Sequence, residues 1–498
     1  MEIKRRKIIR LKQEQSKYYG INFNVVFWLF SAYSDSIQVL DRAMGKGRVF
    51  SSMEYNLTEG SITGKLLKFA FPLMIGNLLQ QCYNIADTLI VGRFLGADAL
   101  AAVGSAYTLM VFLTSIILGL CMGSSAFFSM QYGAGDTDRL KKSFFLSFVL
   151  IGAITLTLNL LVVWKLRLII RLLQIPAEIQ RLMRDYLWII FMGMVATFLY
   201  NYFANLLRAV GNSVVPLMFL AFSAVLNIVL DLVFVLVFHW GVKGAAGATV
   251  FSQYVSGVGI MIYYYVKFPH LRVNKCHMKW DTSILKEITG LSVLTCMQQS
   301  IMNLGILMVQ GLVNSFGTAV MAAFAAAVKI DSFAYMPVQD FGNAFSTFVA
   351  QNYGAGKKDR IRQGTASAVK LSCVFCFVVS ALVFIFAAPL MRIFIEASRP
   401  DIIEIGVGYL RIEGSFYFGI GILFLLYGYY RAVNKPAMSV VLTVISLGTR
   451  VVLAYVLSAV PAIGVKGIWA AVPIGWILAD LTGLIYRRRM RVHTGENI

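Results

Sequence analysis

From Leu66 onward the sequence is a succession of long apolar stretches separated by short polar ones, and this pattern limits the fold more than any single motif. The stretches lie at about residues 66–92, 102–131, 143–164, 186–207, 214–238, 243–266, 284–313, 319–350, 366–390, 405–430, 437–459 and 464–486. Each is close to or above the roughly 20 residues that an α-helix needs to cross a bilayer. The sequence therefore predicts an all-α polytopic membrane protein with twelve transmembrane helices.

The composition supports the same class of protein. Hydrophobic residues make up 58% of the chain and charged residues 14%, whereas soluble domains have roughly 45–50% and 25%. The net charge of +21 comes from Lys and Arg residues between the apolar stretches and near the N-terminus. This distribution is typical of cytoplasmic loops. We therefore expect a lipid bilayer as partner and no nucleic acid.

The two halves of the chain resemble each other at a separation of about 220 residues. Gln131–Gly135 and Gln351–Gly356 end the second and eighth stretches, and Arg208–Asn212 and Arg431–Asn434 end the fourth and tenth. Each half has six stretches, so both halves begin and end on the same side of the membrane. The repeat predicts two pseudo-symmetric six-helix bundles, related by an axis along the membrane normal.

These features divide the chain into five predicted segments. They are an N-terminal extension (residues 1–57), an N-lobe (58–266), a linker (267–283), a C-lobe (284–491) and a tail (492–498). We expect the extension to be disordered, or to result from an over-long start, with Met44 and Met53 as alternative first residues.

The distribution of Lys and Arg predicts the orientation in the membrane. Loops that are cytoplasmic in the predicted topology hold about twice as many basic residues as external loops, which places both termini and the linker in the cytoplasm. The basic segment 165–184 falls on the external side, and there we expect an amphipathic interfacial helix. The protein is predicted to be multi-pass, and the lack of targeting features beyond the N-terminal arm suggests the cell membrane.

Two acidic residues lie inside predicted membrane helices of the N-lobe. Asp87 is in the first helix, and Asp231 is in the fifth with Asn227 four residues earlier on the same face. An ionisable group at that depth costs about 2.5–3.5 kcal/mol or more, so it indicates a functional site. The corresponding C-lobe positions, near Val309 and Ala454, hold no acid.

Two carboxylates and an amide in one dry cavity suit one H⁺ or one Na⁺, because a bound cation relieves the repulsion between the acids. The structural alternative is that Asp87 and Asp231 each cap or hydrogen-bond a neighbouring helix. The asymmetry between the lobes favours function, since a purely structural role does not require it.

Other polar residues in the predicted helices are candidates for lining a substrate cavity. They are Asn84, Tyr202, Gln298, Gln299 and Asn303. Interhelical hydrogen bonding is the competing explanation. For Asp331, Glu413 and Arg450 we favour structural ion pairs over substrate contacts. Pro72 is either a hinge in the first helix or a proline near its N-terminus.

The sequence does not indicate an enzyme. It has no nucleophile–base or metal-ligand constellation, and Cys373 and Cys376 are best interpreted as small packing residues of one helix. We expect no cofactor other than a coupling ion.

These features together resemble the multidrug and toxic compound extrusion (MATE) family. The resemblance rests on the Asp87 helix leading into Val91–Gly96, on the Gln-x-Tyr-Gly-Ala-Gly-like helix ends in both halves and on the Asn227-x-x-x-Asp231 helix. It extends from about Thr58 to Arg491.

The resemblance implies a V-shaped pair of bundles that alternates access to a central cavity. It implies export of cationic amphipathic compounds in exchange for H⁺ or Na⁺. The N-lobe cation site of the family maps onto Asp87, Asn227 and Asp231, with Na⁺ as a candidate ligand, and its bent first helix onto Pro72. Another branch has an acid on the seventh helix, where this chain has Gln298 and Gln299, so a C-lobe site of that type is not expected.

Two other functions fit the same architecture. One is a flippase for a lipid or a polyprenol-linked saccharide, from the wider superfamily. The acids in the predicted cavity favour cationic cargo over this alternative. The other is a membrane module that senses or scaffolds without transport. We expect a monomer whose partners are small organic cations.

Overall fold

The computed structural model describes residues 56–172, 175–396 and 398–493, and these ranges are almost entirely α-helical. The helices, numbered in chain order, are α1 (Ile62–Leu95), α2 (Ala97–Ala134), α3 (Thr137–Leu172), α4 (Ala177–Met192), α5 (Met194–Ala209), α6 (Val214–Leu232), α7 (Gly241–Lys267), α8 (Thr282–Asn314), α9 (Thr318–Gly354), α10 (Lys358–Phe394), α11 (Pro400–Gly414), α12 (Tyr417–Ala432), α13 (Pro436–Ser458) and α14 (Val465–His493). A π-helical turn, Val233–Val237, continues α6, and two short 3-10 helices, Pro269–Leu271 and Lys275–His277, lie between α7 and α8.

By length and composition, the described helices account for the twelve predicted spans. Ten are long and apolar enough to cross a membrane singly, counting α6 together with its π-helical turn. The pairs α4–α5, bent by 43°, and α11–α12, bent by 51°, each form one broken span. Helices are favoured here because each backbone N–H and C=O group must find a partner within the segment when it lies in hydrocarbon. The two broken spans occupy equivalent places in the two halves, as the repeat predicts.

The basic segment 165–184 is mostly helical. Its first part is the end of α3, and its last part is the start of α4. On α4, Met183 and Leu187 are buried while Arg181 and Arg184 are exposed. α4 is therefore amphipathic, but it forms the first part of a broken span, and the interfacial, external position expected for this segment remains a prediction.

The outside of the bundle is apolar. On α3, Leu160 is 70% exposed and Trp164 73%, and on α10, Phe377 is 61% exposed and Ile385 66%. In a chain with helices long enough to span a bilayer, such a surface is typical of contact with lipid. All six cysteines are described, and all are free, which agrees with the interpretation of Cys373 and Cys376 as packing residues.

The two lobes touch backbone to backbone along the later part of α2 and at the end of α9. A Cβ added at Gly123 of α2 would lie 2.4 Å from Cα of Ser292 on α8, and one at Gly133 would lie 1.9 Å from the carbonyl oxygen of Gln351 on α9. At Gly104, near the other end of α2, a Cβ would meet nothing within 4 Å. We call the end where α2 and α9 finish the closed end.

The segment before α1 is tied to the C-lobe at the closed end. The Arg360 guanidinium donates hydrogen bonds to the carbonyl oxygens of Leu57, Glu59 and Gly60, at 2.7–3.2 Å. The Leu57 N–H donates to Gln351 Oε1 at 3.2 Å. These contacts join residues about 300 positions apart, so they hold the two halves of the chain together.

The segment boundaries predicted from sequence remain predictions. The extension over residues 1–57 lies outside the described residues except for its last two positions, and the tail over 492–498 except for its first two. The linker packs on the N-lobe through His277, whose Nε2 lies 3.2 Å from Asp138 Oδ1.

Candidate functional site

The structure brings Asp87, Asn227 and Asp231 together inside the N-lobe. Asp87 lies on α1, while Asn227 and Asp231 lie on one face of α6. The two carboxyl groups interact directly with each other. Asn227 is 2% exposed and Asp231 0%, so neither side chain is solvated from outside. α6 changes to a π-helical turn two residues after Asp231, and such turns are frequent at functional sites.

Four oxygen atoms of this group are buried and accept no hydrogen bond. They are Asp87 Oδ1, Asn227 Oδ1 and both carboxylate oxygens of Asp231. The Asn227 amide nitrogen donates to Thr249 Oγ1 on α7 at 3.3 Å. This bond orients the amide group, and its oxygen is the atom that accepts no hydrogen bond. Buried acceptors without donors are costly. A small hard cation or a proton would satisfy them.

Two tyrosine side chains lie near the two acids. Tyr83 on α1 and Tyr186 on α4 both interact electrostatically with Asp87 and Asp231, and Tyr186 is 3% exposed. Sequence reasoning missed both. Tyr83 is four residues before Asp87, which is a usable signal, but nothing in the sequence connects Tyr186 or Thr249 with the acids.

The C-lobe buries a different group of charges at the equivalent level. Asp331 on α9 interacts electrostatically with Glu413 of α11 and Arg450 of α13, and Tyr417 of α12 lies close to it. Asp331 is 5% exposed and Glu413 2%. Arg450 is 223 residues after Asn227, the separation that also relates Arg208 to Arg431. The C-lobe therefore has a fixed guanidinium where the N-lobe has an amide.

Between the lobes lies a small pocket that contains two of the predicted cavity residues. Its lining residues are Met122 of α2, Gln298 and Gln299 of α8, Gln339 and Asn343 of α9, and Phe424, Tyr427 and Arg431 of α12. Gln298 Oε1 is buried without a hydrogen-bond donor. The structure thus places Gln298 and Gln299 on this small pocket, and their role in lining a substrate cavity remains a prediction.

The other candidate lining residues have different surroundings. Asn84 is half-buried on α1 and donates to Gln81 Oε1 at 3.4 Å, and Asn303 is half-buried on α8. Tyr202 lies in the N-lobe core, where its hydroxyl donates to the Phe144 carbonyl oxygen at 2.6 Å and its ring packs on Phe148. The surroundings of Tyr202 are those of a packing residue.

Pro72 is an interior proline of α1. The helix begins at Ile62 and runs without interruption to Leu95, so the alternative of a proline at the helix N-terminus is wrong. The sequence interpretation started the helix at Leu66, too late by a turn. An interior proline leaves one backbone carbonyl of α1 without its helical partner and permits bending.

Comparison with known proteins identifies the family. The MatE family model matches residues 72–233 and 292–456, one match in each lobe. The chain belongs to the MATE family. MATE proteins are transporters and not enzymes, which confirms both the resemblance and the expectation that this chain is not an enzyme.

Individual MATE relatives match along nearly their whole length. The chain is 31% identical to the probable multidrug resistance protein YpnP of Bacillus subtilis over 439 residues, 87% of this chain and 96% of the relative. It is 28% identical to the probable multidrug resistance protein NorM of Thermotoga maritima, over 82% of this chain and 88% of the relative.

A solved MATE-like structure confirms the fold. The structure of a MOP superfamily transporter from Pyrococcus furiosus superposes with a TM-score of 0.84 at 22% identity, covering 90% of this chain and 99% of that one. The predicted fold class, twelve helices in two bundles of MATE type, is therefore correct.

Proposed function

We propose that this MATE protein is a secondary antiporter that exports cationic amphipathic drugs or toxic compounds in exchange for H⁺ or Na⁺. The observation that carries the proposal is the set of four buried oxygens of Asp87, Asn227 and Asp231 that accept no hydrogen bond. Relatives named as multidrug resistance proteins support export of small molecules. The same site serves either ion, because both neutralise the acid pair.

The conformation of the lobes fits one state of an alternating-access cycle. In the predicted topology α2 and α9 finish on the cytoplasmic side, so the closed end faces the cytoplasm and the cavity opens outward. In this state a cation enters from outside and reaches Asp87 and Asp231. The charge on α1 and α6 is then balanced, and the packing of α1 against α6 changes.

The cycle continues with substrate release and closure of the outer end. The lobes then separate at the closed end, the cation leaves to the cytoplasm, and a cytosolic compound binds between the lobes. Cation and compound drive the change only through their different affinities for the two states. Pro72 lies on α1, the helix that carries Asp87, so a bend there connects cation binding to the lobe interface.

The proposal is tested by ethidium export from proteoliposomes with a proton gradient and a Na⁺ gradient imposed separately. We expect one gradient to drive export and Asp87→Asn or Asp231→Asn to abolish it, because an amide cannot exchange charge with the cation. Asp98→Asn is the matched control, since Asp98 is exposed at the start of α2 and the change removes the same charge.

Two outcomes would count against antiport. Export that survives in both Asp87→Asn and Asp231→Asn at equal reconstitution removes the site from the mechanism. No export under either gradient, from correctly folded protein, favours the flippase, and a headgroup-labelled lipid then replaces ethidium in the same vesicles.

A further inference from the structure

Arg411 is a cation on the apolar outer surface of the C-lobe. It is exposed on α11, and its guanidinium carbon lies 5.2 Å from the centre of the Phe384 ring on α10. Phe384 is itself exposed, as are Phe377 and Ile385 on the same helix. None of the ion pairs among the described residues involves the Arg411 guanidinium. The Phe384 ring is therefore its one close partner in this part of the chain.

The position of Arg411 along its helix places it below the membrane surface. Arg411 is six residues inside the start of the apolar stretch 405–430, and Phe384 is six residues inside the end of the stretch 366–390. At 1.5 Å per residue, both helices give a depth of about 9 Å from the hydrocarbon boundary opposite the closed end. A charged group at this depth is costly unless it meets a polar partner, and contact with one aromatic ring offsets only part of the cost.

Glu404 and Gly408 continue the same face of α11 towards the membrane surface. Glu404 is exposed and lies seven residues before Arg411, so the two share a face at an axial separation of about 10.5 Å. A Cβ added at Gly408, between them, would meet nothing within 4 Å, so the surface from the acid to the arginine is open. Asp401, nearer the start of α11, is already paired with Arg399 at 2.9 Å.

We propose that this face of α11 binds a phospholipid with an amine headgroup, from the leaflet opposite the closed end. The flexible Arg411 side chain extends past Gly408 towards the headgroup layer and donates to the phosphate, for which a guanidinium is well suited. Glu404 pairs with the ammonium group above the phosphate, and the acyl chains lie on Phe384 and its apolar neighbours.

The order of the charges along α11 determines which lipid fits. The basic group is deeper and the acid is nearer the surface, which is the order needed to meet a phosphate below an amine. A phospholipid without the amine satisfies Arg411 but leaves Glu404 unpaired beside an anion. The bound lipid lies on the outside of the C-lobe and not between the lobes, so this inference is independent of the proposed export function.

The test measures which lipid lies beside Arg411. A bimane label is attached at Ser415, which is exposed one helical turn after Arg411, in a cysteine-free full chain. The protein is reconstituted in phosphatidylglycerol with a small fraction of a lipid whose brominated acyl chains quench the label on contact. We expect brominated phosphatidylethanolamine to be enriched at the label at least threefold over brominated phosphatidylglycerol and over brominated diacylglycerol. The same label at Leu160 of α3, 70% exposed on the N-lobe, should report no preference.

Two variants separate the two contacts. Arg411→Gln should remove both preferences at Ser415, because the phosphate is no longer held. Glu404→Gln should remove only the preference over phosphatidylglycerol. Lys165→Gln is the matched control and should change neither, since Lys165 also lies over an exposed ring, that of Trp164, at 3.9 Å, but follows the apolar stretch 143–164 and is within reach of water.

Thermal unfolding of each variant verifies that it is folded. Equal quenching at the two label positions in the wild type, a preference for phosphatidylglycerol at Ser415, or preferences that survive in Arg411→Gln would overturn the proposal. The assay uses no ion gradient and no drug, so its failure is distinct from a failure of antiport.

Discussion

Single residues give the two lobes different electrostatics at equivalent places. In the N-lobe, Asp231 has both carboxylate oxygens buried and unpaired beside Asp87. In the C-lobe, the acids Asp331 and Glu413 have Arg450 beside them. The Arg450 side chain is a permanent cation of the C-lobe, so the acids near it do not require a bound ion. The N-lobe acids have no such side chain among the described residues near them and would be neutralised by a cation from outside. For the proposed antiport, we therefore expect the exchangeable site in the N-lobe.

Arg450→Gln should destabilise the protein, because it leaves Asp331 and Glu413 buried without their cation. Removing one partner of a buried charged group typically costs about 3–5 kcal/mol, so we expect a clearly lower melting temperature in detergent. The double variant Arg450→Gln/Glu413→Gln removes one acid as well and should regain part of the loss. An unchanged melting temperature in the single variant would show that Arg450 does not balance these acids.

The sequence singled out the acids of the proposed cation site but not their surroundings. Asp87 and Asp231 stand out because carboxylates are rare in apolar helices, and the spacing of Asn227 puts it on the same face. Tyr186 and Thr249 reach the site from other helices, so their role depends on packing that one sequence does not display. The match between Arg450 and Asn227 was readable from the repeat once its separation was known.

At the level of helices, Pro72 and the interface glycines determine what can move. Pro72→Ala should restore the backbone bond to the Lys68 carbonyl and stiffen α1. Since an interior proline costs about 3 kcal/mol or more, we expect a higher melting temperature and slower ion-driven export. Pro389→Ala is the control, because Pro389 is exposed inside α10 and should leave export unchanged. Wild-type export rates after Pro72→Ala would exclude the hinge.

Gly354→Ala should weaken the closed end. A Cβ at this position would lie 1.8 Å from the Met130 carbonyl oxygen, and backbone must shift to admit it. Overpacking of this kind costs about 1–3 kcal/mol, so thermal unfolding should occur at a lower temperature. Gly104→Ala meets nothing within 4 Å and, within a helix, should raise the melting temperature slightly. A change in melting temperature of the same sign in both variants would contradict close packing at Gly354.

Helix number and position followed directly from the sequence, because long apolar runs are the physical requirement for crossing lipid. The breaks inside the fourth and tenth spans did not. Gly193 and Phe416 lie within continuous apolar runs, and no proline marks the bends of 43° and 51°. The polar helix ends also extend past the apolar runs, so α3 and α10 are longer than predicted.

For the whole molecule, the proposed alternating-access cycle requires the closed end to release before the lobes can open inward. Two kinds of contact hold it. Gly133 and Gly354 bring the ends of α2 and α9 together, and the segment before α1 is held by Arg360 and Gln351. The Gln351 amide also donates to the Ala209 carbonyl oxygen at 2.8 Å. The repeat Gln131–Gly135 and Gln351–Gly356, first noted as sequence, is thus the point where the lobes meet.

Arg360→Gln should shift the protein towards the state open at this end, because it removes the charged donor that makes four hydrogen bonds to the segment before α1. Loss of about 1.4 kcal/mol changes the ratio of two states tenfold. Spin labels at Thr137 and Asp359, both exposed, in a cysteine-free background report the distance between the lobes. We expect a larger long-distance population in Arg360→Gln and none in Arg362→Gln, which removes an exposed arginine from the same helix. Identical distance distributions in the two variants would mean that the closed end is held by backbone packing alone.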